Sequence, residues 1–185
     1  MTDHTTLKMH KEEVRIAEKE MLKMILDMTE VCSIGFHDEP YPYVVPVNYG
    51  YEWEDQLVFY SHMANEGHKV DLIRQDPRVC VSVPVFLERL GSMDYQNESH
   101  DFRSVTAYGR AQILDPVNDK EEFLHGFSVF CRHTGRGDVT QITPVMHEKL
   151  YILKITCGIV SGKAQYPVRT MDEVPMPPLR KIGDE

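Results

Sequence analysis

The chain has 185 residues, 42% of them hydrophobic and 26% charged, with a formal net charge of −9. That length buries one sound core and is too short for two. The acid excess leaves no surplus of Lys and Arg to release counterions, which argues against nucleic acid as the main partner, although one local cationic pocket can still sit on an acidic protein.

The N-terminus, M-T-D-H-T-T-L-K-M-H, lacks an apolar signal core. No run reaches the ~18 apolar residues of a spanning helix, so the expectation is a cytoplasmic protein with no membrane partner. The four cysteines, Cys32, Cys80, Cys131 and Cys157, are scattered, with no C-x-x-C pair. Most stand in or beside apolar runs, which reads as buried free thiols rather than disulfides or a metal site.

Residues Lys11 to Thr29 carry an apolar stripe near helical spacing (Val14, Ile16, Ala17, Met21, Leu22, Ile25, Leu26, Met28) and predict an N-terminal helix. V-C-S-I-G-F-H then reads as a strand and D-E-P-Y-P as turn chemistry. Y-V-V-P-V-N-Y-G-Y is β-branched and aromatic. Pro46 inside it cannot donate to a ladder, which predicts an irregular or edge strand. Glu54-Asp55-Gln56 makes a tight turn into L-V-F-Y-S-H-M, giving a hairpin. The polar A-N-E-G-H-K leads to a short helix over Val70, Leu72 and Ile73 that Pro77 must end.

R-V-C-V-S-V-P-V is a valine-rich strand, and Leu87 to His100 reads as a loop. In F-R-S-V-T-A-Y-G-R-A-Q-I-L, Gly109 marks a bulge or sharp bend. A second helix is expected from Pro116 to Cys131, with Asp115 as its cap. One or two strands close the chain before Ala164, and the tail from Gln165 is rich in proline and charge. Short antiparallel strands with interposed helices indicate an α+β barrel or sandwich.

The segment richest in chemistry is Y-S-H-M-A-N-E-G-H-K-V-D-L-I-R. A strand ending in Ser61 and His62 runs into a helix start, with Asn65 as candidate cap. Gly67 permits close backbone approach, and Lys69 adds charge at the first turn. A hydroxyl, free N–H groups, a helix dipole and a lysine together make a phosphate site. By itself the signal is weak, and composition alone favours a capped surface helix with a solvated lysine. Asn48 and Tyr49 lie just past Pro46, where an irregular strand could present backbone groups to a ring edge. Arg103 and Ser104 begin a strand, where an arginine can neutralise a phosphate or remain a solvated end charge. His4, His10, His37, His100, His125, His133 and His147 are read as solvated and without a role. Trp53 is read as packing that could also touch a ligand from a neighbouring subunit.

In their order, P-Y-V-V-P-V-N-Y-G-Y, L-V-F-Y-S-H-M-A-N-E-G-H-K-V-D-L-I-R-Q-D-P-R-V-C and F-R-S-V-T-A-Y-G-R-A resemble the nitroimidazole-resistance branch of the pyridoxamine 5′-phosphate oxidase-like, flavin-binding split-barrel superfamily, over about residues 21–162. The resemblance implies a mainly β (α+β) fold: a six-stranded Greek-key split β-barrel with peripheral helices, homodimeric, with FMN between subunits. It implies one domain over residues 1–165 and an extended tail over 166–185. Val45, Pro46, Val47, Asn48 and Tyr49 would line the isoalloxazine. Ser61, Lys69, Arg103 and Ser104 would hold the ribityl and phosphate end, with Asn65, Gly67 and His68 framing it. His62 matches the family histidine beside the flavin and is the candidate catalytic group.

Two positions depart from the family pattern. Gly67-His68-Lys69 stands where relatives commonly carry Gly-Arg-Lys, and Met63 stands where they carry Ser or Ala. The implied activity is an FMN-dependent oxidoreductase. It would use a small-molecule electron donor, NAD(P)H, and a small acceptor such as a nitroimidazole or quinone. The alternative is a non-catalytic flavin- or haem-binding protein of the same fold.

Overall fold

The computed structural model describes residues 14–90 and 99–164. Alternation of apolar and polar residues builds its sheet. In β2 (Val31–Phe36), Cys32, Ile34 and Phe36 turn to the core, while Val31, Ser33 and Gly35 turn outward. The other long strands are β3 (Tyr43–Asn48), β5 (Leu57–Ala64), β6 (Arg78–Leu90), β7 (Ser99–Leu114) and β8 (Leu150–Ala164). Two short strands, β1 (Arg15–Ile16) and β4 (Gly50–Trp53), bring the total among the described residues to eight. The pairings described are antiparallel, and the order along the sheet is β3-β2-β6-β7-β8-β5-β4, with β1 on β8. The expected split barrel is thus present, its six long strands supplemented by two short ones.

The strip curls until its two ends nearly meet. There the Ser61 hydroxyl on β5 donates to the Asn48 carbonyl at the end of β3, 2.7 Å away, and stitches the seam. β3 is an edge, as Pro46 requires. The bulge expected at Gly109 is there: the register of β7 on β8 shifts between Tyr108 and Gly109.

Leu22, Ile25 and Leu26 of α1 (Lys19–Leu26) and Val70, Leu72 and Ile73 of α2 (His68–Gln75) plug the interior. On the outside, Phe123, Val129 and Phe130 of α3 (Lys120–His133) cover Tyr60 of β5 and Ile152 of β8, forming a second core.

Several expectations need correction. The N-terminal helix starts at Lys19 rather than near Lys11. β5 pairs with β8 only up to Cys157, so the rest of that β8 edge is available, and Arg15 and Ile16 pair there with Lys163 and Gly162. Backbone pairing beside Gly162, which leaves room for Ile16 and Leu22, outweighs helix propensity. The loop expected over Leu87 to His100 is narrower, because β6 runs to Leu90 and β7 begins at Ser99. Asp115 accepts from the N–H groups of Val117 and Asn118 and so caps a turn, while α3 itself starts at Lys120. A short helix, α4 (Pro144–Lys149), was not anticipated; Thr143 caps it and Pro144 opens it. A single strand, β8, closes the described chain. The tail over 166–185, and His4 and His10, lie outside the described residues. Among the described residues no helix is long and apolar enough to cross a membrane.

Candidate functional site

Strand alternation divides the expected site. On β5, Leu57, Phe59, Ser61 and Met63 face the barrel interior, whereas His62 and Ala64 face outward. Ser61 is buried and its hydroxyl donates to the Asn48 carbonyl, so its side chain closes the seam. Met63 is core as well.

His62 packs against Phe130 at a ring separation of 4.9 Å, with its edge open to solvent. Burial lowers its pKa from the ordinary histidine value, and the charges of Arg136 and Lys69 push it down further. At neutral pH it is an uncharged imidazole, able to donate one hydrogen bond and accept another.

Lys69 stands in the first turn of α2. It is half-buried, burial lowers its pKa, and no ion pair to it is formed among the described residues. The backbone bends into this turn at Gly67, whose φ of 113° only glycine adopts without strain. The Val70 and Asp71 N–H groups bond the Gly67 carbonyl, while those of His68 and Lys69 have no carbonyl one turn back within the helix.

Asn65 is not the cap; Gly67 holds that position. Asn65 instead anchors the loop to the end of α4, its side-chain amide donating to the Glu148 carbonyl and its backbone N–H to the Lys149 carbonyl. His68 is engaged too: its Nε2 lies 2.7 Å from the Asp38 carboxylate and its ring edge meets Tyr43. The His68 hydrogen bond, chiefly, lowers the Asp38 pKa.

The strand expected to line a ring is split by the same alternation. Val44, Pro46 and Asn48 are exposed, while Val45 and Val47 lean on the core. Tyr49 is fully buried: its N–H donates to the Glu30 carbonyl and its hydroxyl to the Leu26 carbonyl at 2.7 Å. Its ring is therefore core, not a ligand wall. Among the described residues β3 pairs only with β2, so one row of its backbone groups has no strand partner there.

Arg103 departs furthest from expectation. It is only 2% exposed, faces the interior beneath α1, and brings Nη1 to 3.8 Å from the Met28 sulfur. Ser104 faces the opposite way, in register with Pro84 and Lys163 on the outer face. His68 lies beside Tyr43, which pairs with Phe36; that level continues through Val79 to Gly109 on β7. Arg103 is six residues from Gly109, a distance of roughly 20 Å along a strand. One chain therefore brings His62 and Lys69 within electrostatic reach of each other, while Arg103 and Ser104 lie well along β7 from the level of α2.

Three features lay beyond the sequence reading. Arg136, after α3, acts on His62. His133, read as solvated, bonds the Thr29 carbonyl and lies against Tyr49, while His125 bonds Glu52. Across the outer sheet face, Pro46, Ser33, Ser82, Thr106 and Ser161 stand in direct register, a row of hydroxyls crossing four strands. A neighbouring row runs Val44, Gly35, Cys80, Tyr108 and Ile159. Two cavities of about 610 and 490 Å³ open beside it and share Arg78, Val79 and Tyr108. Among the described residues no cluster of three or more His, Cys, Asp or Glu could hold a metal.

Residues 18–164 match the model of the Pyridoxamine 5′-phosphate oxidase family. No curated protein sequence matches the chain significantly. Among solved structures, one resembling it comes from Bacteroides thetaiotaomicron, a protein provisionally assigned to 5-nitroimidazole antibiotic resistance. It is 24% identical, with a TM-score of 0.68 over 81% of this chain and 86% of that one. The flavocytochrome Anf3 of Azotobacter vinelandii is 19% identical, with a TM-score of 0.65 over 90% of this chain and 75% of its own. An FAD- and haem-binding protein of Mycobacterium smegmatis is 17% identical, also at 0.65, over 86% and 77%. These likenesses show a shared fold.

Proposed function

We propose that this chain, which belongs to the Pyridoxamine 5′-phosphate oxidase family, binds FMN and works as a flavin-dependent oxidoreductase on a small acceptor such as a nitroimidazole or quinone, with NAD(P)H as donor. The observation that carries the reading is Lys69: a half-buried lysine with no ion pair to it among the described residues, in the first turn of α2 beside the outward-facing His62. A buried charge is costly unless a counter-charge meets it, and a phosphate monoester supplies one. The residues fit the cofactor. Lys69 and the α2 N–H groups would hold the phosphate. The exposed Pro46 and Asn48, with the unpaired backbone row of β3, would meet the ring.

FMN, when bound, supplies the electron transfer between donor and acceptor. The chain's own residues position and exclude. Phe130 fixes the His62 ring, and the neutral imidazole orients the acceptor or delivers a proton to it from Nδ1 or Nε2. The Ser61–Asn48 bond holds the seam so that β3 keeps its place beside α2.

The working unit is proposed to be a homodimer. Val31, Val44 and Tyr108 expose apolar surface on the outer face, and Ser104 on that face is remote from Lys69 of its own chain, so a second copy is the source that can bring it near. Sedimentation at micromolar concentration checks this, and a flavin-loaded monomer contradicts it.

A second reading, haem or flavin binding without turnover, is favoured by one observation: His62 is outward-facing and uncharged, so its free ring nitrogen would be able to hold a haem iron. The similar proteins from Azotobacter and Mycobacterium, named as a flavocytochrome and an FAD- and haem-binding protein, point the same way. Steady-state assays of the flavin-loaded protein, with NADH and NADPH against nitroaromatic and quinone acceptors, separate the two. Turnover supports the oxidoreductase; no turnover with full flavin occupancy refutes it.

A further inference from the structure

We propose that Arg136 is a third member of the anion site at Lys69 and His62, and that the three together clamp a phosphate monoester; the inference rests on the flavin reading only for the identity of that monoester.

The α3 C-terminus makes the placement. The N–H groups of Thr134 and Gly135 bond the carbonyls of Phe130 and Arg132, and the Arg136 N–H reaches back 2.7 Å to the Cys131 carbonyl. Gly135 has a φ of 73°, the left-handed conformation that such a helix end requires. The turn folds residue 136 onto the last turn of α3, beside the Phe130 that covers His62. The Arg136 charge lowers the pKa of both Cys131 and His62, the effect of a cation carried at this end of α3.

Among the described residues no carboxylate forms an ion pair with this group. The acids on elements packed against β5 are otherwise engaged: Glu52 with His125, and Glu122 with Lys154. Asp138, just beyond Arg136 in the chain, bonds Arg132. Glu121 sits at the far, N-terminal end of α3. The charges acting on His62 from α2 and from the α3 end are both positive. Arg136 itself is exposed and forms no ion pair among the described residues.

A chain of net charge −9 thus holds two cations, without an ion pair among the described residues, acting on an imidazole that burial keeps neutral first and their charge second. His68, which follows Gly67 at the same helix start, is bonded to Asp38 and leaves the approach to Lys69 open. A dianionic phosphate between Lys69 and Arg136 removes the repulsion, and His62 then gains a proton and a third charge-assisted hydrogen bond. A guanidinium suits phosphate because its planar donors engage two oxygens at once.

The test is an NMR titration of the full chain, dialysed free of multivalent anions, with the His62 ring resonance identified by its loss in His62→Gln. Adding inorganic phosphate raises the His62 pKa in the wild type. In Arg136→Ala the starting pKa is higher, because one repelling charge is gone, and the response to phosphate shrinks. A His62 titration indifferent to phosphate, or an equal response in Arg136→Ala, overturns the proposal. Flavin titrations then distinguish the two readings. Arg136→Ala lowers FMN affinity roughly tenfold or more and leaves riboflavin affinity unchanged. Wild-type FMN affinity in Arg136→Ala refutes the clamp but spares the flavin reading. A normal phosphate response in a chain that binds no FMN refutes the flavin reading but spares the clamp.

Discussion

Replacing Lys69 with methionine removes the ammonium and keeps most of the apolar stem. In the fold this lysine is half-buried with its pKa lowered by burial alone, so its desolvation and much of its ordering are already met before a ligand arrives. An ammonium about 4 Å from a phosphate oxygen gains roughly 4 kcal/mol at an effective dielectric constant of about 20. Residual ordering of the side chain and salt screening take back about half. The remaining ~2 kcal/mol corresponds to about a thirtyfold loss of FMN affinity. Riboflavin, which lacks the phosphate, loses nothing. Thermal stability stays level or rises, because a half-buried charge without a counter-ion has been removed. Quenching of flavin fluorescence gives both affinities, and a thermal melt without ligand gives the stability. Equal losses for FMN and riboflavin, or a clear fall in Tm, would refute the reasoning and make Lys69 a structural residue.

Four further outcomes follow from the same geometry. Ser61→Ala strands the Asn48 carbonyl at the seam and lowers stability by about 1–3 kcal/mol in denaturant unfolding, with little change in the FMN-to-riboflavin affinity ratio; a loss confined to FMN would restore Ser61 to the phosphate. Gly50→Ala places a Cβ 2.6 Å from the Phe130 Cα and the Val129 carbonyl oxygen, backbone that cannot yield, and costs about 3 kcal/mol or more; a wild-type melt would contradict the packing of β4 on α3. The Asp38 carboxyl, held low by His68, contributes stability that is present above the unfolded value near 3.9 and is lost as pH falls toward its native value. By NMR its midpoint moves up in His68→Ala, and an unmoved midpoint refutes the pair. For His62 the native pKa is depressed below about 6.5, so the unfolded chain takes up the proton first and stability declines as pH falls through that window; His62→Gln removes this component, and an identical stability–pH profile would contradict it.

Much of the fold is written in local pattern. The β-branched alternation of Val31–Phe36 and Arg78–Val85, the helix-ending Pro77, the edge-forcing Pro46 and the bulge-forming Gly109 each act within a few residues, and each is found where its chemistry puts it. The start of α1 was not legible, because Ile16 answers to Gly162, a residue far along the chain. The site was half legible for the same reason. Lys69 and Gly67 mark a glycine-entered helix start with a cation in its first turn, and that much is local, but the face each strand residue presents depends on register. Ser61 and Arg103 read as ligand-holding groups, yet alternation turns both inward, where Ser61 closes the seam and Arg103 sits under α1. Arg136 carried no signal, since only the packing of α3 on β5 brings it to His62. The hydroxyl row from Ser33 to Ser161 exists only across four strands in register.

The central claim is that this chain holds FMN, and the most direct measurement is the identity of the cofactor carried by the purified protein. Absorption of the intact protein, followed by mass spectrometry of what denaturation releases, reads it without any assumption about substrate. The account predicts a yellow protein that releases FMN in about equimolar amount. A strong Soret band with released haem, or a colourless chain that neither releases nor takes up FMN, would contradict it.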